Sequence, residues 1–168
     1  MILDVAVPIL AALAAAGVVL TVRRWPRRAA YVGKRRVLVP FSGALDQTVL
    51  DAAIRIAHAD EAVLVPAYLL VVPLQYPEDS ARKEQVEVAM PLLEAVEQAA
   101  LRARVPVDAR IEKGRSLTHA LRRLWDVERF DRIVAPAPGF SAKELAWILT
   151  HAPAETIVLR PSPEMQAA

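Results

Sequence analysis

The chain has 168 residues, with 21 Lys and Arg against 19 Asp and Glu, a formal net charge of +2 and no cysteine. The missing thiols exclude disulfides, thiolate metal sites and cysteine nucleophiles, and they suit a reducing compartment. Trp, Tyr and Phe occur three times each, with no interleaving of aromatic and basic side chains that would make a single-strand platform, so nucleic acid is not an expected partner.

In chain order, Ile2 to Val22 is apolar apart from Asp4 and is followed at once by Arg23-Arg24-Trp25-Pro26-Arg27-Arg28. About 20 apolar helical residues span roughly 30 Å of hydrocarbon, and a helix satisfies its own backbone in lipid. Residues 1–23 are therefore read as a transmembrane anchor and 24–36 as a basic juxtamembrane linker. Arg23, Arg24, Arg27 and Arg28, then Lys34, Arg35 and Arg36, put the positive charge after the span. Trp25 stands where an interfacial aromatic belongs. The charge bias predicts an N-terminus outside and a cytoplasmic domain at a bacterial cell membrane. The expected partners are the bilayer along residues 2–22 and anionic headgroups beside it. Without 23–36 the remainder is mildly acidic. A cleaved signal would carry its positive charge before the apolar run, and a buried core helix is rarely apolar on every face.

The rest of the chain, 37–161, reads as one domain, with a tail at 162–168. Val37 to Phe41 is a buried strand ending at Ser42-Gly43. Asp46 to Ala59 has helical spacing, with Val49, Leu50, Ala53, Ile54 and Ala57 on one face. Ala62 to Val72 is a second strand, in which Pro66 marks a start or a bulge. After a loop over Leu74–Asp79, Ser80 to Arg104 is an amphipathic helix through Val86, Met90, Leu93, Val96 and Ala100, which Pro91 should kink or restart. Val107 to Ile111 alternates as a third strand, ending near Gly114. Ser116 to Arg129 is a helix with Leu117, Leu121, Leu124 and Trp125 inward. Arg132 to Ala135 is a fourth strand, Pro136 to Phe140 a turn, and Ser141 with Glu144 a capping box opening a helix to about His151. Thr156 to Leu159 is the last strand, and the tail from Pro161 is expected to fray.

Strands that are apolar on both faces and alternate with helices imply an α/β fold with a parallel sheet covered on two sides. Right-handed crossovers leave few topologies. The strand order 3-2-1-4-5 puts a switch point beyond the carboxyl ends of the first and fourth strands. The weak candidate ligand residues are then Pro40, Phe41, Ser42, Gly43, Gly139, Ser141 and Lys143. Ser42 could contact a ligand or simply cap a turn, and Lys143 with its helix N-terminus could hold an anion or be a solvated first-turn side chain. His58, His119 and His151 lack ligand spacing, so no metal is expected. Asp46 and Asp51 lack a supporting catalytic partner. No nucleophile elbow, Walker loop or dinucleotide fingerprint is present. Trp125 and Trp147 read as core or dimer packing.

These residues resemble the universal stress protein family. Arg36-Val37-Leu38-Val39-Pro40-Phe41-Ser42-Gly43 is similar to its first strand, Val107 to Gly114 to its third, and Leu149-Thr150-His151-Ala152-Pro153 before Ile157-Val158-Leu159-Arg160-Pro161 to its last helix end and strand. The likeness covers about Lys34 to Pro161. It implies an Asp at the position of Ser42 and a Gly-x2-Gly-x9-Gly-Ser/Thr phosphate loop in members that bind ATP. Here the loop is Ala135-Pro136-Ala137-Pro138-Gly139-Phe140-Ser141-Ala142-Lys143. It is shorter, keeps one glycine, and has Ala142-Lys143 where the second Gly-Ser would be. The resemblance thus implies a member that has lost the usual ATP site, so no cofactor is expected and ATP is disfavoured. It also implies dimerisation through Thr156, Ile157, Val158 and Leu159. The expected function is a membrane-tethered, non-enzymatic module acting by protein association, as a dimer or as an accessory subunit of a membrane complex. The alternative is an adenine-nucleotide stress sensor with a modified site at the switch point.

Overall fold

The computed structural model describes residues 31–77 and 83–160. The described residues from Gly33 onward form one compact unit. Its elements are β1 (Arg36–Phe41), α1 (Gln47–Ala59), β2 (Val63–Val71), α2 (Lys83–Arg102), β3 (Arg110–Gly114), α3 (Leu117–Val127), β4 (Arg132–Pro136), α4 (Ala142–His151) and β5 (Glu155–Leu159). The strands form a single parallel sheet in the order β3-β2-β1-β4-β5, which is the expected order. The switch point lies between β1 and β4.

The strand sequences explain their places. The inner strands β1, β2 and β4 are buried almost throughout, because their aliphatic runs have no polar face to present to water. The outer strands β3 and β5 are only half-buried. All five residues expected on the inner face of α1, from Val49 to Ala57, are buried. Asp46 caps that helix by accepting from the N–H groups of Thr48 at 2.8 Å and Val49 at 3.3 Å. Loss of such a cap costs about 1 kcal/mol, so Asp46→Ala is expected to lower the unfolding free energy by roughly that amount in a urea titration.

Two prolines behave differently from expectation. α2 runs unbroken through Pro91, which is exposed, while Ala89, Leu93, Val96 and Ala100 form its buried stripe. Met90 is only half-buried and Ala89 takes the inner position. Its expected start at Ser80 lies outside the described residues. Pro66 neither starts β2 nor bulges it, because the register with β1 is continuous from Arg36↔Val63 to Phe41↔Tyr68. Its effect falls on the other neighbour. The N–H of Val63 bonds to Arg35 on the β1 side, and that of Leu64 bonds to Pro106 on the β3 side. Alternation then points the missing N–H of Pro66 towards β3. Val107 makes an isolated bridge to Leu64, and the continuous ladder resumes only at Ala67↔Arg110. The third strand is therefore Arg110–Gly114 and not 107–111.

Gly114 closes β3 against α3. A Cβ there would lie 2.5 Å from the backbone nitrogen of Ala120, so only glycine allows this approach. At the opposite end of the sheet, Arg132 of β4 bonds Asp60 after α1 at 2.7 Å and Glu155 of β5 at 2.8 Å. The Glu155 hydrogen bond raises the guanidinium above its ordinary pKa.

The membrane placement is corrected here. Among the described residues no helix is long and apolar enough to cross a membrane. A span needs about 20 mostly apolar residues, whereas the 20-residue α2 carries Glu87, Glu94, Glu97 and Arg102 along its length. This overturns the assignment to a cell membrane with the N-terminus outside and a cytoplasmic domain. The span at 2–22, the interface residues Arg23, Arg24, Trp25, Arg27 and Arg28, and the tail at 162–168 lie outside the described residues. Arg36, counted above with the basic residues that follow the apolar run, is drawn into the domain by Asp108 and Glu128.

Candidate functional site

At the carboxyl end of β1 the chain passes from buried Pro40 and Phe41 to half-buried Ser42 and Gly43. Phe41 meets Tyr68 of β2 edge-on, with ring centroids 5.3 Å apart. Pro40 and Phe41 thus belong to the core beneath the switch point rather than to a ligand surface. Across the sheet axis, the turn after β4 folds back onto β1. Gly139, at a φ of 90°, lies so close that a Cβ would sit 3.0 Å from the Ser42 carbonyl oxygen. Phe140 is buried beside it, and Ser141 and Lys143 are exposed. The structure therefore brings Ser42, Gly139 and, through the short turn, Ser141 to one end of the sheet.

The chemistry of this turn opposes phosphate. A phosphate loop works by aiming several backbone N–H groups at one point. Pro136 and Pro138 have none. Ala137 donates to Leu159 of β5 at 2.7 Å. Ser141 donates both its backbone N–H and its hydroxyl to the Glu144 carboxylate at 2.7 Å. In return the Ser141 hydroxyl accepts from the Glu144 N–H at 3.3 Å. The expected capping box is thus complete, and it holds a carboxylate at the positive end of the helix, the place an anionic ligand would take.

Beside this closed turn is an open pocket of about 420 Å³, lined by Ser42 of β1, by Tyr68, Leu70 and Val71 of β2, and by Gln85 and Val88 of α2. Gln85 Nε2 donates to the Val71 carbonyl at 3.4 Å. The pocket takes its walls from β2 and α2, neither of which was singled out in the sequence. The signal was present in Tyr68, Gln85 and Val88 only if β2 and α2 were placed beside Ser42.

A cluster of four charged side chains lies at the other end of the sheet. Asp108 is fully buried. It is bound by Arg36 at 2.9 Å and by the fork of Arg110, whose Nη2 donates to Asp108 Oδ2 at 2.6 Å and whose Nη1 donates to Oδ1. Glu128 completes the square, bonded by Arg36 at 2.8 Å and by Arg110 at 3.3 Å. Arg36 also lies 5.8 Å from the Phe130 ring centroid. Four charges paired in this way are a structural core rather than a reactive set.

The remaining candidates have structural partners. Asp46 is a cap, and Asp51 accepts from Gln47 at 2.8 Å. His119 accepts from the Arg115 N–H at 3.2 Å, and His151 Nδ1 lies 2.9 Å from the Trp147 carbonyl oxygen. Trp125 of α3 and Trp147 of α4 stack face to face at 5.3 Å, and His151 stacks on Trp147 at 4.9 Å. Among the described residues no group of His, Asp or Glu could hold a metal ion.

No family model matches the sequence, and no curated protein matches it. Solved structures do. A universal stress protein UspA from Lactobacillus plantarum aligns over 76% of this chain and 98% of its own, at 18% identity and a TM-score of 0.61. A universal stress protein in complex with cAMP aligns over 77% and 99%, at 20% identity and a TM-score of 0.61. A universal stress protein family protein from Arabidopsis thaliana with AMP bound aligns over 77% and 94%, at 14% identity and a TM-score of 0.58. At these identities the shared property is the fold, and the chain has the five-stranded fold of the universal stress proteins.

Proposed function

We propose that the chain is a non-enzymatic regulatory module that acts by association, with a second copy of itself or as an accessory subunit of another protein, through the β5 edge. The observation that carries this reading is the contrast between the two outer strands. β3 carries Glu112 and Lys113 along its length, beside Arg110, which is drawn into the Asp108 cluster. β5 presents Thr156, Ile157, Val158 and Leu159 with no charge among them, and all four are half-buried. Beyond Glu155, which is tied to Arg132, the strand is half-exposed and carries no charge, and such an edge is a template for pairing. Sedimentation of the full chain across a wide concentration range tests this. A reversible dimer is expected, and a monomer at every concentration that also captures no partner would defeat it.

ATP is not the ligand that this site favours. Two N–H groups of the turn are absent, two are engaged, and Glu144 holds the helix end. A true ligand stabilises by about 2.7 kcal/mol at a hundredfold excess over its dissociation constant. A thermal-shift titration with millimolar ATP is expected to be flat.

A second reading, an adenine-nucleotide sensor with a modified site, is favoured by one observation: the pocket beside Ser42. Its supports are its place beside the switch point, where ligands of open α/β sheets bind, and the structural likeness to proteins solved with cAMP and AMP. Affinity for a nucleotide in the full chain, lost on filling the pocket by Ser42→Phe, would be its signature.

A further inference from the structure

Pro153, just before β5, is one wall of a pocket of about 400 Å³ at the end of the sheet where β4 and β5 begin. Trp125 and Val127 at the end of α3 and Phe130 before β4 supply its other apolar walls, and Asp126 and Arg129 are exposed charges on its rim. The indole N–H of Trp125 is buried without an acceptor. Aromatic walls with an indole donor suit an extended, proline-containing segment, whose shape is set in advance and whose carbonyls are free to accept. We infer that the pocket of each copy is filled by residues 160–164 of a second copy, with Arg160 against Asp126; this rests on the association reading above, pairing through β5.

Strand direction brings segment and pocket together. Two copies related by a two-fold axis pair their β5 edges antiparallel, so the carboxyl end of one strand runs past the amino end of the other. The Leu159 carbonyl is taken by Ala137 on the β4 side, so the backbone groups of Thr156 and Val158 face outward and must meet their counterparts. A pairing centred on Ile157 sets Arg160 opposite the partner's Ala154, and one centred on Val158 sets Ser162 there. In either register the residues after Leu159 reach the partner's Pro153, the lip of its pocket. The segment reads Arg160-Pro161-Ser162-Pro163-Glu164, a base and an acid around two prolines, and the rim offers Asp126 and Arg129 in return. Of the acids beside the pocket, Glu128 is bonded to Arg36 and Arg110 and Glu155 to Arg132, which leaves Asp126 for Arg160.

The test is sedimentation of the full chain, with charge reversals read as changes in the dimer dissociation constant. Arg160→Glu and Asp126→Arg are each expected to weaken the dimer about tenfold, because a two-fold contact repeats the repulsion on both sides. The loss should shrink in high salt. Asp126 is exposed in the last turn of α3, where an arginine suits the helix end, so Asp126→Arg should leave the melting of the monomer unchanged. Combining the two reversals remakes the pair with its signs exchanged, and should return the dissociation constant to within about threefold of the unaltered chain. A dimer that neither reversal weakens would overturn the inference and leave pairing through β5 intact, as would losses that simply add in the double variant. A monomer at every concentration would remove the association reading and this inference with it.

Discussion

Replacing Asp108 by alanine is expected to lower the unfolding free energy by about 3–5 kcal/mol, the range found when one partner is removed from a buried ion pair. Its carboxylate is fully buried and serves two guanidiniums, Arg36 and Arg110, whose side chains are only 16% and 13% exposed. Without it Glu128 is the one carboxylate left in the cluster for both cations, beside the Ala109 carbonyl that Arg110 reaches at 3.1 Å, and it cannot satisfy two forks at once. The Nε of Arg36 is already buried without a partner, so the cluster has little slack to absorb the loss. The cluster also joins distant parts of the chain: Arg36 opens β1, Arg110 opens β3, and Glu128 follows α3. The check is a urea titration in which the midpoint falls while the slope stays constant, since the compactness of the unfolded chain is not at issue. Glu128→Gln retains hydrogen-bond acceptance and should cost less. A loss below about 1 kcal/mol for Asp108→Ala, the size of a single ordinary hydrogen bond, would show that the cluster does not tie the sheet as described.

What could be read in the sequence is what short-range chemistry decides. The α1 face from Val49 to Ala57 follows from spacing alone, and the Ser141–Glu144 capping box from two residues three apart. The order of the strands followed from a sheet rule applied to alternating elements. What could not be read depends on neighbours brought together by the fold. The start of β3 is set by Pro66 on the adjacent strand, so no inspection of 107–111 would have moved it. Arg36 looked like one of a run of basic residues because its partners, Asp108 and Glu128, are 72 and 92 residues away. Trp125 and Trp147 were read as packing residues, yet their stacking on each other needed α3 and α4 side by side. The candidate site was half legible. Ser42, Gly139 and Ser141 were found as ends of strands and starts of helices, while the pocket walls on β2 and α2 were not. Glu144 was visible as a cap, and its second consequence, an anion site filled from within, came only from counting the engaged N–H groups around it.

A lysine placed at Val158 is expected to convert a self-associated protein to a monomer. The geometry of β5 makes this position informative. The Leu159 carbonyl accepts from Ala137 on the β4 side, and Val158 pairs in register with Ala135. Alternation along a parallel strand then turns the backbone groups of Thr156 and Val158 to the open edge. Pairing of two copies there would bury the Val158 region twice, since a two-fold contact repeats each residue on both partners. Val158→Lys puts a strongly hydrated ammonium on each copy, the device by which natural edge strands block pairing, and brings the two like charges close together. The dimer should weaken by at least about tenfold, because like-charge contact across an interface costs several kcal/mol. Melting of the monomeric fold should shift little, because Val158 is only half-buried. Glu112→Lys on the opposite edge is the control and should leave the mass unchanged. If Val158→Lys sediments with the mass of the unaltered chain, association does not run through β5, and the uncharged edge needs another explanation. If it becomes monomeric while Glu112→Lys does not, the difference between the two edges of one sheet is sufficient to account for how this chain associates.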